Sequence, residues 1–375
     1  MKKNPFYIVT PPYDESSLHA RILNNLAHYL NSEGEQAFLF PFPLTLKGDR
    51  KWPAFCRFPQ ENWGNPELNV KLLTQDIIDL HFNEGLVPVC IVPEIFGDPL
   101  DSPYLIKYII DYPDEKIKKC KKSQNFTLSY SRVISDYIGS NEVLTIPYID
   151  TEFFYNKFNN TRSKIGYFST DPITPAEMEK YGIQSTDIEI HNLDKYQRRK
   201  IFWDLEKFYC FADTPFSIEA ALCGCEVIYV MNGNFRSIYP TLMNELKLNK
   251  QTGNIFTNSV KGEKLKIQLD LLEISAREYT KKLALYARSQ TRNSNYTKPI
   301  LLPYNGKIVF IESNKNKLQW EKKFENKLQE KQSKTLYLEK ISIYRKLRIF
   351  VINWLLPPRI AQLLIRIYKR ILNKK

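Results

Sequence analysis

Apolar positions along this 375-residue chain fall into two recurring patterns, short continuous runs and stripes at helical spacing. Continuous runs fit strands buried on both faces of a parallel sheet, and the stripes fit helices laid over them. Phe6–Thr10 reads as a first strand. Ser16 and Ser17 can then cap a helix whose Leu18, Ile22, Leu26 and Leu30 share one face, closed by Gly34. Ala37–Phe40 gives a second strand, Val70, Leu73, Ile77 and Leu80 a second helical stripe, and Pro88–Pro93 a third strand opening into Glu94-Ile95-Phe96-Gly97-Asp98-Pro99. Tyr104–Ile110 reads as a short helix, with strands at Phe126–Tyr130 and Val143–Tyr148.

The polar stretch Tyr155–Ser163 has linker composition, and the alternation restarts at Lys164–Phe168. Further strands are expected at Ile188–Ile190, Phe208–Phe211, Val227–Val230 and Asn254–Phe256, with helices at 193–207, 217–223 and 236–248 and a long amphipathic one at Lys264–Arg288. Strands alternating with helices predict α/β architecture with right-handed crossovers. The length and the linker divide the chain into 1–155, 156–312 and a charged and basic remainder, 313–375. The segment Phe208–Val230, FYCFADTPFSIEAALCGCEVIYV, sets a lone carboxylate, Glu219, on a short helix between two core strands. Gly224 supplies the positive φ that ends that helix. At such strand–helix junctions ligands gather, because helix N-termini offer free N–H groups.

Hydrophobic residues make up 43% of the chain and aromatic ones 13%, ample for packed cores, while the formal charge is +13. Between Lys331 and Lys375 stand twelve Lys and Arg against one acid, Glu339, so residues 1–330 carry 42 basic against 40 acidic side chains. The excess therefore belongs to the tail and says nothing of a nucleic-acid groove. The tail interleaves its cations with aliphatic residues and offers no aromatic platform over a basic sheet, so no nucleic-acid partner is expected. Six scattered cysteines, mostly in apolar strand contexts, suit buried reduced thiols, and no paired Cys/His spacing predicts a metal site. The opening MKKNPFYIVTPPY reads as a strand and not as a signal peptide, which predicts a cytoplasmic protein.

Two further patterns carry chemistry. SIEAALCGCEVI, from Ser217 to Ile228, resembles the E-A-x-x-x-G-x-P-V element of GT-B glycosyltransferases, with Glu226 where that element has proline. VPEIFGDPL, from Val92 to Leu100, is similar to a loop of bacterial surface-polysaccharide glycosyltransferases of the capsule, O-antigen or lipooligosaccharide kind, one residue tighter. With Glu189-Ile190-His191, the likeness covers most of residues 1–310. It implies two Rossmann-like halves facing a cleft, the first for acceptor and the second for a nucleotide-sugar donor. It also implies that Glu219 accepts from the donor's ribose hydroxyls, with Asp213, Thr214, Ser217, Glu189 and His191 nearby. An earlier glutamate of many retaining members is Phe211 here, which leaves the stereochemical outcome open. Glu94, as base or acceptor clamp, and Asp98 are the catalytic candidates. Arg162 and Lys164 resemble basic positions that serve the diphosphate. His19 on the first helix is either functional or a surface residue.

The tail from Ile343 contains no run long enough to span a bilayer. Around Pro357 and Pro358 its apolar stripes are bordered by Arg348, Arg359, Arg366 and Arg370, with Trp354 near the bend. This pattern fits helices lying in a membrane interface, with an anionic leaflet as partner at the inner face of the cell membrane. The expectation is a transferase passing a sugar from a nucleotide-sugar to a lipid-linked or growing bacterial surface glycan, with no cofactor besides its donor. A GT-B-fold sugar-nucleotide epimerase and a non-catalytic membrane scaffold are the alternatives.

Overall fold

The computed structural model describes residues 3–41, 63–96, 98–100, 102–111, 126–157, 162–170, 172–184, 186–190, 193–212, 214–230, 242–246, 249–252, 255–292, 296–304 and 308–312. Residues 1–313 form one compact unit.

Its first half runs β1 (Phe6–Thr10), α1 (Leu18–Ser32), β2 (Ala37–Pro41), β3 (Lys71–Leu72), α2 (Gln75–Asn83), β4 (Val89–Pro93), β5 (Tyr104–Ile109), β6 (Phe126–Ser129) and α3 (Arg132–Ile138). The sheet order is β3-β2-β1-β4-β5-β6, every pairing parallel. That is the doubly wound order, whose direction reverses between β1 and β4. Every residue of β1, β2 and β4 is buried, which is why these runs carry no polar alternation. Ser17 caps α1 as expected, its Oγ accepting from Ala20 N. Leu26 and Leu30 then join Ile8, Leu39 and Ile91 in the main core.

The second half continues with β7 (Lys164–Phe168), α4 (Pro175–Lys180), β8 (Ile188–Glu189), α5 (Lys195–Asp204), β9 (Leu205–Cys210), α6 (Phe216–Leu222) and β10 (Glu226–Val230). After α7 (Leu242–Glu245) come β11 (Asn249–Thr252) and β12 (Ile255–Asn258). The 27-residue α8 (Glu263–Ser289) and a hairpin of β13 (Ile300–Tyr304) and β14 (Ile308–Glu312) follow. Here the order is β11-β12-β10-β9-β7-β8, parallel except where β12 meets β10 and β11. The switch in direction lies between β7 and β9. Helix α8 packs on both α1 and α6. It is tied to the first half by Asn4, whose side chain donates to Ala287 O (2.8 Å) and Gln290 O (2.9 Å), and by an Arg288–Glu35 ion pair.

Three departures from the sequence reading have physical reasons. Tyr104–Ile110 is a strand and not a helix: Ile106, Tyr108, Ile109 and Ile110 are all buried, and β5 fills the space between β4 and β6. Val143–Tyr148 contributes one bridge, Val143 to Ser129, and no strand. The helix expected at 193–207 stops at Asp204, and the chain enters β9 at Leu205 without a turn. The charged stretch and basic tail of the expected third region lie outside the described residues.

Candidate functional site

The first half gathers its chemistry at the β1/β4 switch point, where ligands of doubly wound sheets bind beyond the strand ends. Glu94 follows β4 directly and is 4% exposed in its side chain. Its Oε2 accepts from Ile110 N (2.8 Å) and its Oε1 from Asp111 N (3.1 Å), so the backbone beyond β5 fixes the carboxylate. Opposite stands His19, second residue of α1, with Nε2 at 2.5 Å from Glu94 Oε1. An ionised carboxylate only accepts, so this contact calls for a proton on Nε2. His19 is therefore more than a surface residue. The available signal was its place just after a strand and capping serine. Asp98, the other catalytic candidate, turns into its own loop, Oδ1 accepting from Leu100 N (3.0 Å) and Oδ2 from Ser102 N (2.9 Å). That is the work of a turn cap beside Pro99.

Glu219 lies at the junction of the halves and is completely buried. Arg198 of α5 forks onto it, Nε to Oε2 at 2.8 Å and Nη2 to Oε1 at 3.2 Å. Arg21 of α1 adds a third contact, Nη2 to Oε1 at 2.7 Å. Arg198 also reaches Glu15 Oε2 (2.6 Å) and Leu193 O (2.6 Å), and the Phe216 ring lies under both guanidinium groups, 4.5 Å from that of Arg198 and 5.7 Å from that of Arg21. Two carboxylates and two guanidinium groups make the cluster neutral. Burial opposes the Arg198 charge, but Glu219 and Glu15 outweigh it and hold its pKa above the usual value. The carboxylate expected to greet a ribose thus already serves two arginines, one from each half.

Thr214 and Ser217 are buried beside it and build the start of α6. Thr214 Oγ1 accepts from Phe216 N (3.2 Å), and Ser217 Oγ donates to Thr214 O (2.8 Å). Lys164 opens β7 at the opposite, amino end, about 13 Å from its carboxyl end at about 3.3 Å per residue, and Arg162 lies two residues before it. Arg162 donates to Phe202 O (2.8 Å), Leu205 O (3.0 Å), Asn156 Oδ1 (2.8 Å) and Cys223 O, and Lys164 pairs with Asp204 (3.0 Å). These contacts anchor the linker to α6, away from the carboxyl ends of the strands where the diphosphate role expected for the pair would be exercised. Glu189 ends β8 at the carboxyl edge and borders a cavity of about 410 Å³. Asp213, His191 and the tail residues Arg348, Trp354, Arg359, Arg366 and Arg370 lie outside the described residues.

Cys90, Cys210, Cys223 and Cys225 are free thiols in the core, and burial, against the pull of Arg162, pushes Cys225 up to about 12. Among the described residues no three His, Cys, Asp or Glu side chains gather as metal ligands, and no helix is long and apolar enough to cross a membrane.

No family model and no curated protein sequence matches the chain. Among solved structures it is similar to sucrose-phosphate synthase from Thermosynechococcus elongatus, at 10% identity and a TM-score of 0.44 over 76% of this chain and 100% of that one. It is also similar to Phytolacca americana UGT2 complexed with UDP-2fluoro-glucose and pterostilbene, at 10% identity and a TM-score of 0.33 over 78% of this chain and 96% of that one.

Proposed function

We propose that this chain is a glycosyltransferase that moves a sugar from a nucleotide-sugar donor to a lipid-linked or growing bacterial surface glycan. The observation that carries the reading is the His19–Glu94 pair at the first half's switch point, 2.5 Å apart, with the carboxylate pinned by two backbone N–H groups. Sugar transfer to a hydroxyl needs a base for the acceptor proton and a carboxylate to orient the base and balance its charge. His19 Nδ1 takes that proton as the acceptor oxygen bonds to the anomeric carbon. The bond from that carbon to the donor's phosphate oxygen breaks, and the nucleoside diphosphate leaves with its electron pair. Direct displacement of this kind inverts the anomeric centre. Glu94 touches no reacting atom and positions His19.

The second half supplies the donor platform, a Rossmann-like sheet with open carboxyl ends at β7 and β8. No cofactor besides the donor enters the reading, and the basic amphipathic tail brings the enzyme to an anionic leaflet.

Transfer assays with a panel of nucleotide-sugars and a membrane-extract acceptor test the proposal. His19→Ala is expected to lower kcat about 10²- to 10⁴-fold with KM for donor little changed. Glu94→Gln, which keeps the shape and loses the charge, is expected to fall between that variant and wild type. A folded His19→Ala with wild-type kcat would show that the pair is structural and that another group is the base, and absence of transfer by wild type with every donor would favour a scaffold.

A further inference from the structure

Helix α8 buries one face in the main core through Leu265, Leu269, Ala276, Leu283 and Ala287. The opposite face of a surface helix is ordinarily polar. On α8 that face carries Ile267, Leu271, Ile274 and Leu285, each 54–65% exposed. They are four of the six exposed Leu and Ile side chains among the described residues, so the exposure is gathered on one element and is not the single scatter normal for a surface.

Spacing says what would cover this face. Lys264, Ile267, Leu271, Ile274, Glu278, Lys281 and Leu285 follow one another in alternating steps of three and four, the seven-residue repeat of a helix that runs along another helix. At about 100° per residue the four aliphatic side chains lie within an arc of roughly 60°. A seam that narrow suits one neighbouring helix, whereas packing on a globular core takes an apolar arc of about 100° or more. The polar groups along it are satisfied within α8 itself: Ser275 Oγ donates to Leu271 O (3.1 Å), and Glu278 pairs with Lys281 (2.7 Å). Covering the seam therefore strands neither of them.

We infer that the outer face of α8 is a self-association surface, on which α8 of a second copy of this chain lies antiparallel. Charge selects this occupant and this direction. With the two helices turned about the point between Leu271 and Ile274, Leu271 of each copy meets Ile274 of the other, and Ile267 lies in the next layer. Glu278 then stands between its own Lys281 and Lys264 of the second copy. Parallel pairing would instead set Lys264, Glu278 and Lys281 each opposite itself, three layers of like charge. The face thus complements itself only when reversed. A seam with so few aliphatic layers makes a small interface, so the pair is expected to be reversible, with Kd on the order of micromolar. Such pairing needs nothing from the transferase reading above.

Sedimentation velocity of the full chain over a range of about 1 to 100 μM tests this. Wild type is expected to pass from a monomer of 44.2 kDa to a dimer of twice that mass as concentration rises. Leu271→Lys changes a side chain that is exposed in the single chain, so its circular dichroism should match wild type while association weakens at least about 100-fold. Glu278→Lys gathers three lysines at each end of the overlap and is expected to weaken association about 10-fold, and adding Lys264→Glu to restore it. Wild type that stays monomeric at the highest concentration, or a dimer that Leu271→Lys leaves intact, would overturn the surface. Failure of Lys264→Glu to rescue Glu278→Lys would overturn the antiparallel pairing. A monomer whose sedimentation with phosphatidylserine vesicles falls on Leu271→Lys would overturn self-association and assign the face to lipid.

Discussion

Glu219 illustrates what a single residue can require. A fully buried carboxylate is tolerable only when its oxygens are met, and Arg198 and Arg21 meet them with three N–H contacts. Replacing Glu219 with Gln leaves two buried guanidinium groups short of a counter-charge and is expected to cost about 3–5 kcal/mol in urea unfolding. Arg21→Met is expected to cost less, since the Arg198 fork survives. That a polar residue among such apolar neighbours must be satisfied was legible in SIEAALCGC. Its partners were not, because they come from α1 and α5, which no local pattern links to α6. His81 makes a pH-dependent case. Its Nδ1 accepts from Tyr7 OH (2.9 Å), its Nε2 faces Gln36 Oε1 (3.0 Å), and burial, partly offset by Glu84, lowers its pKa. A histidine kept neutral in the fold contributes stability that is present above its unfolded pKa of about 6.5 and is lost as pH falls toward the lower folded pKa. The loss approaches at most about 1.4 kcal/mol per pH unit, and the His81→Gln variant should show a flatter profile between pH 7 and 5.

Strands and helices were legible where their period was strong and ambiguous where the run was short. Phe6–Thr10, Val89–Pro93 and α8 stand within a residue or two of expectation. Tyr104–Ile109 does not, because six apolar-rich residues fit either state until a parallel neighbour on each side claims their backbone groups. The end of α6 was readable to within a residue. Gly224 has φ +96°, and a Cβ there would lie 2.5 Å from Asn156 Oδ1 and 2.9 Å from Arg162 Nη2. Those neighbours hold the linker to the second half, so strain and displacement coincide. Gly224→Ala is expected to destabilise by more than about 1 kcal/mol, read from the midpoint of urea unfolding at unchanged m-value. Arg162 and Lys164 were legible as the entry to a strand, but not the carbonyls of Phe202, Leu205 and Cys223 and the Asp204 carboxylate that meet them there, because these come from distant segments.

At the scale of the whole molecule, the two sheets are joined by more than their linker. Helix α8 leaves the second half and docks on the first through Asn4 and Arg288, while Glu15–Arg198, Arg21–Glu219 and Lys195–Glu67 cross the junction. Cross-links of this density make residues 1–313 one cooperative body, so calorimetry is expected to give a single transition with equal calorimetric and van't Hoff enthalpies. Two separated transitions would mean that the junction contributes little. The tail adds a property that the body lacks. Residues 1–330 are nearly neutral, so attraction to an anionic surface must come from the twelve cations of Lys331–Lys375, each contributing on the order of 1 kcal/mol near such a leaflet. Screening sets in within about 10 Å at 0.1 M salt, while apolar insertion is indifferent to it. Full-length protein is therefore expected to sediment with vesicles containing phosphatidylserine and to be released in part by high salt, and a chain ending at Glu330 to stay in the supernatant. Complete release by salt would assign the attraction to charge alone. Equal sedimentation with uncharged vesicles would assign it to the aliphatic stripes around Trp354.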